Sequence, residues 1–201
     1  MTRVTFYFGA ASRYSYLAAS QIDAIARRAG ASVDWVPLDV ITLLARRGHS
    51  PFTPTVVSGQ YEPAWRRQDA ERWAALYGIA FIEPMGRLAL DMNLLARACA
   101  VAREVNQAEP YARALMQRIF ASSDLDVDQA GCVEVARRCG LDRAEFAARL
   151  DDESSARRVD DIVGEAQAQG VFGVPSFVVD GDVYWGNDRL PLLAHRLMSA
   201  T

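Results

Sequence analysis

The chain contains no lysine: all 22 of its basic residues are arginine. That excludes mechanisms built on a side-chain amine, among them Schiff-base chemistry, pyridoxal phosphate anchoring and the lysine of a phosphate-binding loop. Histidine is almost as scarce, so His49 and His195 are the only imidazoles. The three cysteines, Cys99, Cys132 and Cys139, form no C-x-x-C pair. A zinc-finger arrangement and a dithiol redox centre are therefore excluded, and no metal site is expected. Cys132 and Cys139 lie seven apart on one predicted helix, about 10 Å along its axis. This exceeds disulfide reach and predicts packed, reduced thiols. No apolar run approaches the length of a membrane span. The short run Val4 to Ala11 is followed by Arg13, unlike a signal peptide. A formal net charge of −3 gives no basic stripe for phosphates. A cytoplasmic protein with no nucleic-acid or membrane partner is the expectation.

What is present is a chain of 201 residues, 51% hydrophobic, long enough for a substantial core. Val4 to Phe8 is β-branched and aromatic and reads as a strand, followed by a turn at Gly9 to Ser12. Tyr14, Leu17, Ala18, Ile22, Ile25 and Ala26 make one helical stripe closed by Gly30. Ser32 to Leu38 alternates like a second strand. The Pro/Gly-containing segment Gly48 to Gly59 reads as a long loop. Helical segments follow at Pro63 to Tyr77, Leu90 to Val105, Pro110 to Phe120, Val127 to Cys139 and Arg143 to Leu150. Strand chemistry returns at Ser176 to Val179, runs into the hairpin signal Asp180-Gly181, and continues through Val183 to Trp185. A last helix is predicted over Asp188 to Met198, with Asn187 or Asp188 as N-cap. The layout βαβ, helical insertion, ββα predicts an α/β thioredoxin-like fold. Residues 1–40 and 165–201 would form the thioredoxin-like domain and 41–164 a helical insertion.

Three segments are candidates for chemistry. In Gly9-Ala10-Ala11-Ser12-Arg13-Tyr14-Ser15, strand hands over to helix, where unpaired N–H groups favour an anion. Ser12 stands where such a fold holds a thiolate; Ser12 or Ser15 equally serves as a helix cap. Gly173-Val174-Pro175-Ser176 precedes a strand, and a cis Val174–Pro175 bond would expose backbone for an extended ligand, a trans bond being the commoner case. Trp185-Gly186-Asn187-Asp188-Arg189 opens the last helix with polar groups that suit a ligand's charged end, a helix cap, or an Asp188–arginine pair. His49, in the irregular loop, is a better candidate than His195 on the last helix.

Taken together, these segments resemble the 2-hydroxychromene-2-carboxylate isomerases. These are relatives of kappa-class glutathione transferases in the DsbA-like branch of the thioredoxin superfamily. Phe6 to Ala18 is similar to their F-Y-F-D-x-x-S-P-x-S-Y-L-A opening, and Arg72 to Ile79 to R-W-A-x-L-x-G-I/V. Phe172 to Phe177 and Trp185 to Leu190 match F-G-V-P-[ST]-F and W-G-N-D-R-L. The resemblance implies a glutathione-dependent enzyme, usually a homodimer, acting on a small aromatic carboxylate or another electrophile. Ser12 would hold the glutathione sulfur as thiolate. Val174, before cis Pro175, would pair its backbone with the cysteinyl part, and Asn187 and Asp188 would take the γ-glutamyl end. Two departures stand out: Gly9 replaces the family's aspartate, and Arg13 replaces its proline. His49 falls near a family asparagine that helps bind glutathione or substrate, so Arg13 and His49 are expected at the substrate. A kappa-like transferase and a non-catalytic binding module are the alternatives.

Overall fold

The structure, a computed structural model, describes residues 2–48, 62–84, 86–122 and 127–199. A four-stranded sheet runs in the order β2-β1-β3-β4. It comprises β1 (Arg3–Phe8), β2 (Ser32–Pro37), β3 (Ser176–Val179) and β4 (Asp182–Trp185). β1 lies parallel to β2, with Phe6 beside Trp35, and antiparallel to β3, with Phe6 beside Phe177. β4 closes the edge as an antiparallel hairpin partner of β3. The chain turns there through Asp180 and Gly181, both at positive φ, as the Asp-Gly signal predicts.

Alternation along β1 decides what each sheet face covers. Val4, Phe6 and Phe8 join one core with Trp35 and Phe177, while Tyr7 points the other way into a core with Val36 and Val178. Phe6 stacks on Phe177 at 5.1 Å and meets Trp35 edge-on at 4.9 Å between ring centroids. Helices α1 (Arg13–Ala19), α2 (Ile22–Arg28) and α3 (Val40–Arg46) flank the first two strands. Then come α4 (Pro63–Tyr77), α5 (Met92–Glu104), α6 (Ala108–Phe120), α7 (Gln129–Arg138), α8 (Arg143–Asp151) and α9 (Glu153–Ala168). After β4, residues Asn187–Arg189 make a short 3-10 turn, and α10 (Leu190–Met198) ends the described chain. A thioredoxin-like fold with its helical insertion is what these elements build.

Three differences from the sequence reading have local causes. The stripe from Tyr14 to Ala26 is two helices, not one. Ser20 breaks it: its hydroxyl donates to the Leu17 carbonyl at 2.7 Å, and its own N–H follows the same acceptor, the competition that disfavours serine inside helices. Neither Asn187 nor Asp188 caps α10; Arg189 occupies that position without a side-chain bond, because Asn187 to Arg189 are already in the 3-10 turn. The third difference is α9, whose Val159, Ile162, Val163 and Ala166 form a buried stripe behind the N-cap Asp152. It packs on α5 and β2 and runs unbroken across residues 164 and 165.

The segment joining α4 to α5 bears on the site. Tyr16 donates to the Ala80 carbonyl at 2.6 Å, and Ile82 N–H donates to Phe120 at 2.6 Å. Phe81 stacks on Phe120, which stacks on Tyr16 in turn. The segment is thus pinned against α1 and α6, which sets the place of Glu83.

Candidate functional site

The strand directions gather the candidate residues at one end of the sheet. β1 ends there before Gly9, β3 starts there after Pro175, and β4 ends there before Gly186, because β3 is antiparallel to both neighbours. The short turn after β4 touches α1. A Cβ on Gly9 would stand 3.2 Å from Val174 Cγ2 and 3.7 Å from Ser12 Cβ. Gly9 therefore sits between Ser12 and Val174, and the position that carries aspartate in the resembling family has little spare room here.

Ser12 is held by a ring of local bonds. Its N–H donates to the Gly9 carbonyl at 2.9 Å. Its Oγ accepts from Ser15 N–H at 3.3 Å, and Ser15 Oγ accepts from Gly9 N–H at 3.2 Å. Ser12 is thus the N-cap of α1, with extended φ/ψ, and Ser15 is fully buried. Accepting as a cap leaves the Ser12 hydroxyl proton available, since it donates to no group among the described residues. Capping and presentation of a donor are compatible in one side chain.

Opposite lies a cis Val174–Pro175 peptide. The N–H and C=O of Val174 make no backbone hydrogen bond among the described residues. The Pro175 carbonyl is engaged, accepting from Gly186 N–H at 2.9 Å. Gly186 has φ +111°, and a Cβ there would collide with the Asp188 carboxylate, so glycine alone fits the bend. Beyond it, Asn187 is 2% exposed. Tyr77, on α4, places its hydroxyl 3.3 Å from Asn187 Oδ1, while Asn187 Nδ2 is buried with no hydrogen-bond partner among the described residues. Burial pushes the Tyr77 phenol up. Asp188 is half exposed, 3.5 Å from Arg189. Trp185 lies against Gly173 and Phe172 but stays 45% exposed.

Arg13 turns toward the pinned segment and meets Glu83 at 2.7 Å, with 10% and 12% of the two side chains exposed. Burial pulls the Arg13 guanidinium down from its ordinary value, and Glu83 works against that. Tyr14 donates to Asp69 at 2.8 Å. Burial and that bond push its phenol up to about 12. Arg66 lies over the Tyr14 ring, 5.8 Å from its centroid. His49 lies outside the described residues, and His195 is exposed on α10. Sequence reasoning missed Tyr77, Glu83 and Arg66. The first and last share a stripe of α4 with Ala70, at helical spacing that was there to be read; Glu83 lies in an irregular segment and gave no periodic signal.

Among the described residues no cluster of three or more His, Cys, Asp or Glu could hold a metal ion, and no helix is long and apolar enough to cross a membrane. A surface cavity of about 270 Å³ lies between α5, α8 and α9, where Arg149 pairs with Glu145 and Glu104 and Asp152 accepts from Ser154 N–H as the cap of α9.

A family model, the DSBA-like thioredoxin domain, matches residues 3–198. A 2-hydroxychromene-2-carboxylate isomerase from Sphingobium xenophagum is 30% identical, with 97% of each chain covered. The chain belongs to the DSBA-like thioredoxin family, in the branch of these isomerases. Another relative of that name, from Pseudomonas putida, is 26% identical over 94% of this chain and 91% of its own. Among solved structures, a 2-hydroxychromene-2-carboxylate isomerase superposes with TM-score 0.79 at 25% identity, covering 98% of this chain and 95% of its own. A probable DsbA oxidoreductase from Streptomyces coelicolor, at 23% identity and TM-score 0.77 over 100% of this chain and 90% of its own, shares the fold. Ser12 and Ser15 stand three positions apart at the start of α1, the spacing of a C-x-x-C pair, with no cysteine at either place.

Proposed function

We propose that this protein is a glutathione-dependent isomerase of the 2-hydroxychromene-2-carboxylate type, acting on a small aromatic carboxylate. The observation that carries the reading is the facing of Ser12 and Val174 across Gly9. One side offers a hydroxyl proton with no acceptor among the described residues, the other an unpaired backbone edge. The names of its relatives support isomerase activity.

The residues fit glutathione. Val174 offers one N–H and one C=O to an extended peptide, the pairing of strand addition. Asn187 Nδ2 is a buried donor without a partner, and such a group costs about 1–3 kcal/mol until an acceptor reaches it. Asp188, half exposed beside it, offers a carboxylate to an ammonium group. Bound glutathione would supply the thiol that adds to and leaves a conjugated substrate, so that rotation occurs about a single bond. For its part, the Ser12 hydroxyl donates to the sulfur and favours its anionic form, a hydrogen bond to the charged state being what lowers a thiol pKa. The Ser15 N–H, donating to Ser12 Oγ, occupies one lone pair of that oxygen and leaves its proton for the sulfur. In the same reading the protein works in the cytoplasm as a homodimer, and His49 stands near glutathione or substrate.

Glutathione should raise the melting temperature, since a ligand that binds only the native state stabilises it by mass action. Incubation with a chromene carboxylate should convert isomer while free glutathione stays constant. Loss of free glutathione in step with substrate would make the enzyme a transferase instead. No thermal shift at millimolar glutathione would overturn both.

A further inference from the structure

Two arginines lie near the start of α1, and they are in opposite electrostatic states. Arg13 has its charge answered by Glu83 at 2.7 Å. Arg66 has no carboxylate within ion-pair distance among the described residues; its contact is the face of Tyr14. Residues 49–61, which lie just before α4 in the chain, contain no Asp or Glu. Tyr14 cannot swing away to release the guanidinium, because its hydroxyl is tied to Asp69 and its ring packs beside Leu17, Ala70 and Ala74 in the α1–α4 seam. Arg66 is half-buried, so its charge is less screened than a fully exposed one. It also bears on Arg13, whose proton it disfavours. Like charges held this way are costly until an anion arrives.

Position along α4 gives the anion its identity. Arg66, Ala70, Trp73 and Tyr77 fall on one face of the helix at spacings of three and four. Tyr77 bonds Asn187 at one end of that stripe, and Arg66 stands about 16 Å away along the axis. Glutathione, on the proposed reading, has its γ-glutamyl end at Asn187 and Asp188, so the Arg66 end is left for the second reactant.

We infer that Arg66 is the specificity residue that receives the carboxylate of the aromatic substrate, stacked on Tyr14 as its platform, while Arg13 is committed to Glu83. The inference rests on the glutathione-dependent reading. A guanidinium matches a carboxylate in two parallel N–H···O bonds.

The test is steady-state kinetics on Arg66→Gln and Arg66→Lys with the chromene carboxylate, alongside calorimetric titration of glutathione. Loss of one charge-assisted contact should raise KM about tenfold in Arg66→Gln. Arg66→Lys should recover most of it, while kcat, the glutathione Kd and the melting temperature stay near those of the unmodified protein. KM within twofold of the unmodified value, or a parallel loss of glutathione affinity, would overturn the role of Arg66 alone. Failure of the unmodified protein to bind glutathione would overturn the underlying reading and this inference with it.

Discussion

Arg13 and Glu83 meet at 2.7 Å with about nine-tenths of each side chain buried, directly after the serine that caps α1. Where the resembling family has a proline, this chain has half of a buried ion pair, and the other half hangs from the segment that Tyr16 and Phe120 pin in place. Removing Glu83 leaves the Arg13 guanidinium without this carboxylate in a poorly solvated place. Glu83→Leu should therefore cost about 3–5 kcal/mol, read by denaturant unfolding. Arg13→Leu combined with Glu83→Leu should recover most of the loss. If the double variant is as unstable as the single one, the pair is not what holds this corner.

Ser12 is expected to separate its two duties by substitution. Ser12→Ala loses the cap and should cost about 1 kcal/mol while removing most glutathione-dependent turnover. Ser12→Asn keeps a capping oxygen and should regain the stability without the turnover. Equal turnover in Ser12→Ala and the unmodified protein would refute the role of the hydroxyl.

At Gly186, positive φ and the adjacent Asp188 carboxylate leave no space for a methyl group. Gly186→Ala should shift the turn that carries Asn187 and Asp188, with strain of about 1–3 kcal/mol. Glutathione affinity, measured by titration, should fall with it. Unchanged affinity would detach this turn from the binding site.

Alkaline pH should weaken the fold in a defined window. Tyr14 titrates near 12 in the folded protein against an ordinary 10.0. The unfolded chain therefore loses this proton first, and the stability linked to it is complete below pH 10 and is lost as pH rises toward 12. Tyr16 and Tyr77 are shifted the same way by burial. Melting temperature should decline above pH 10, and less steeply in Tyr14→Phe. Parallel declines in the two proteins would show that Tyr14 contributes nothing to the slope.

Thiol chemistry should be muted. Cys99 and Cys132 are buried and Cys139 half-buried, all three free. Burial pushes each thiol up, that of Cys132 to about 11. A thiol reagent should find at most Cys139 in the native protein and all three cysteines after denaturation. Fast native reaction of more than one would contradict this packing.

The sequence made some of this plain and hid the rest, for physical reasons. Helix α4 was readable to its first and last residue, because Pro63 and Gly78 are strong local punctuation. The strands were readable from their aromatic and β-branched runs. The break at Ser20 was not, because a serine hydroxyl that diverts one carbonyl leaves the hydrophobic period intact on both sides. At the site, motif spacing marked Ser12, Val174, Pro175, Asn187 and Asp188, and the fold sets their parent segments at one sheet end. Spacing could not show that Arg13 would be engaged by a residue 70 positions on, nor that α4 would bring Tyr77 to Asn187 and Arg66 to the Tyr14 ring. Those depend on how far apart segments dock.

β1 lies in the middle of the sheet, yet its neighbour β3 is made some 170 residues later. During synthesis the first βαβ unit must wait with one edge of its central strand unpaired while the whole helical block emerges. An open apolar edge of this kind invites pairing with another chain. Ser12 and Val174 cannot face each other until that wait ends, so a ribosome stalled before β3 would release a protein that is both inactive and prone to aggregate.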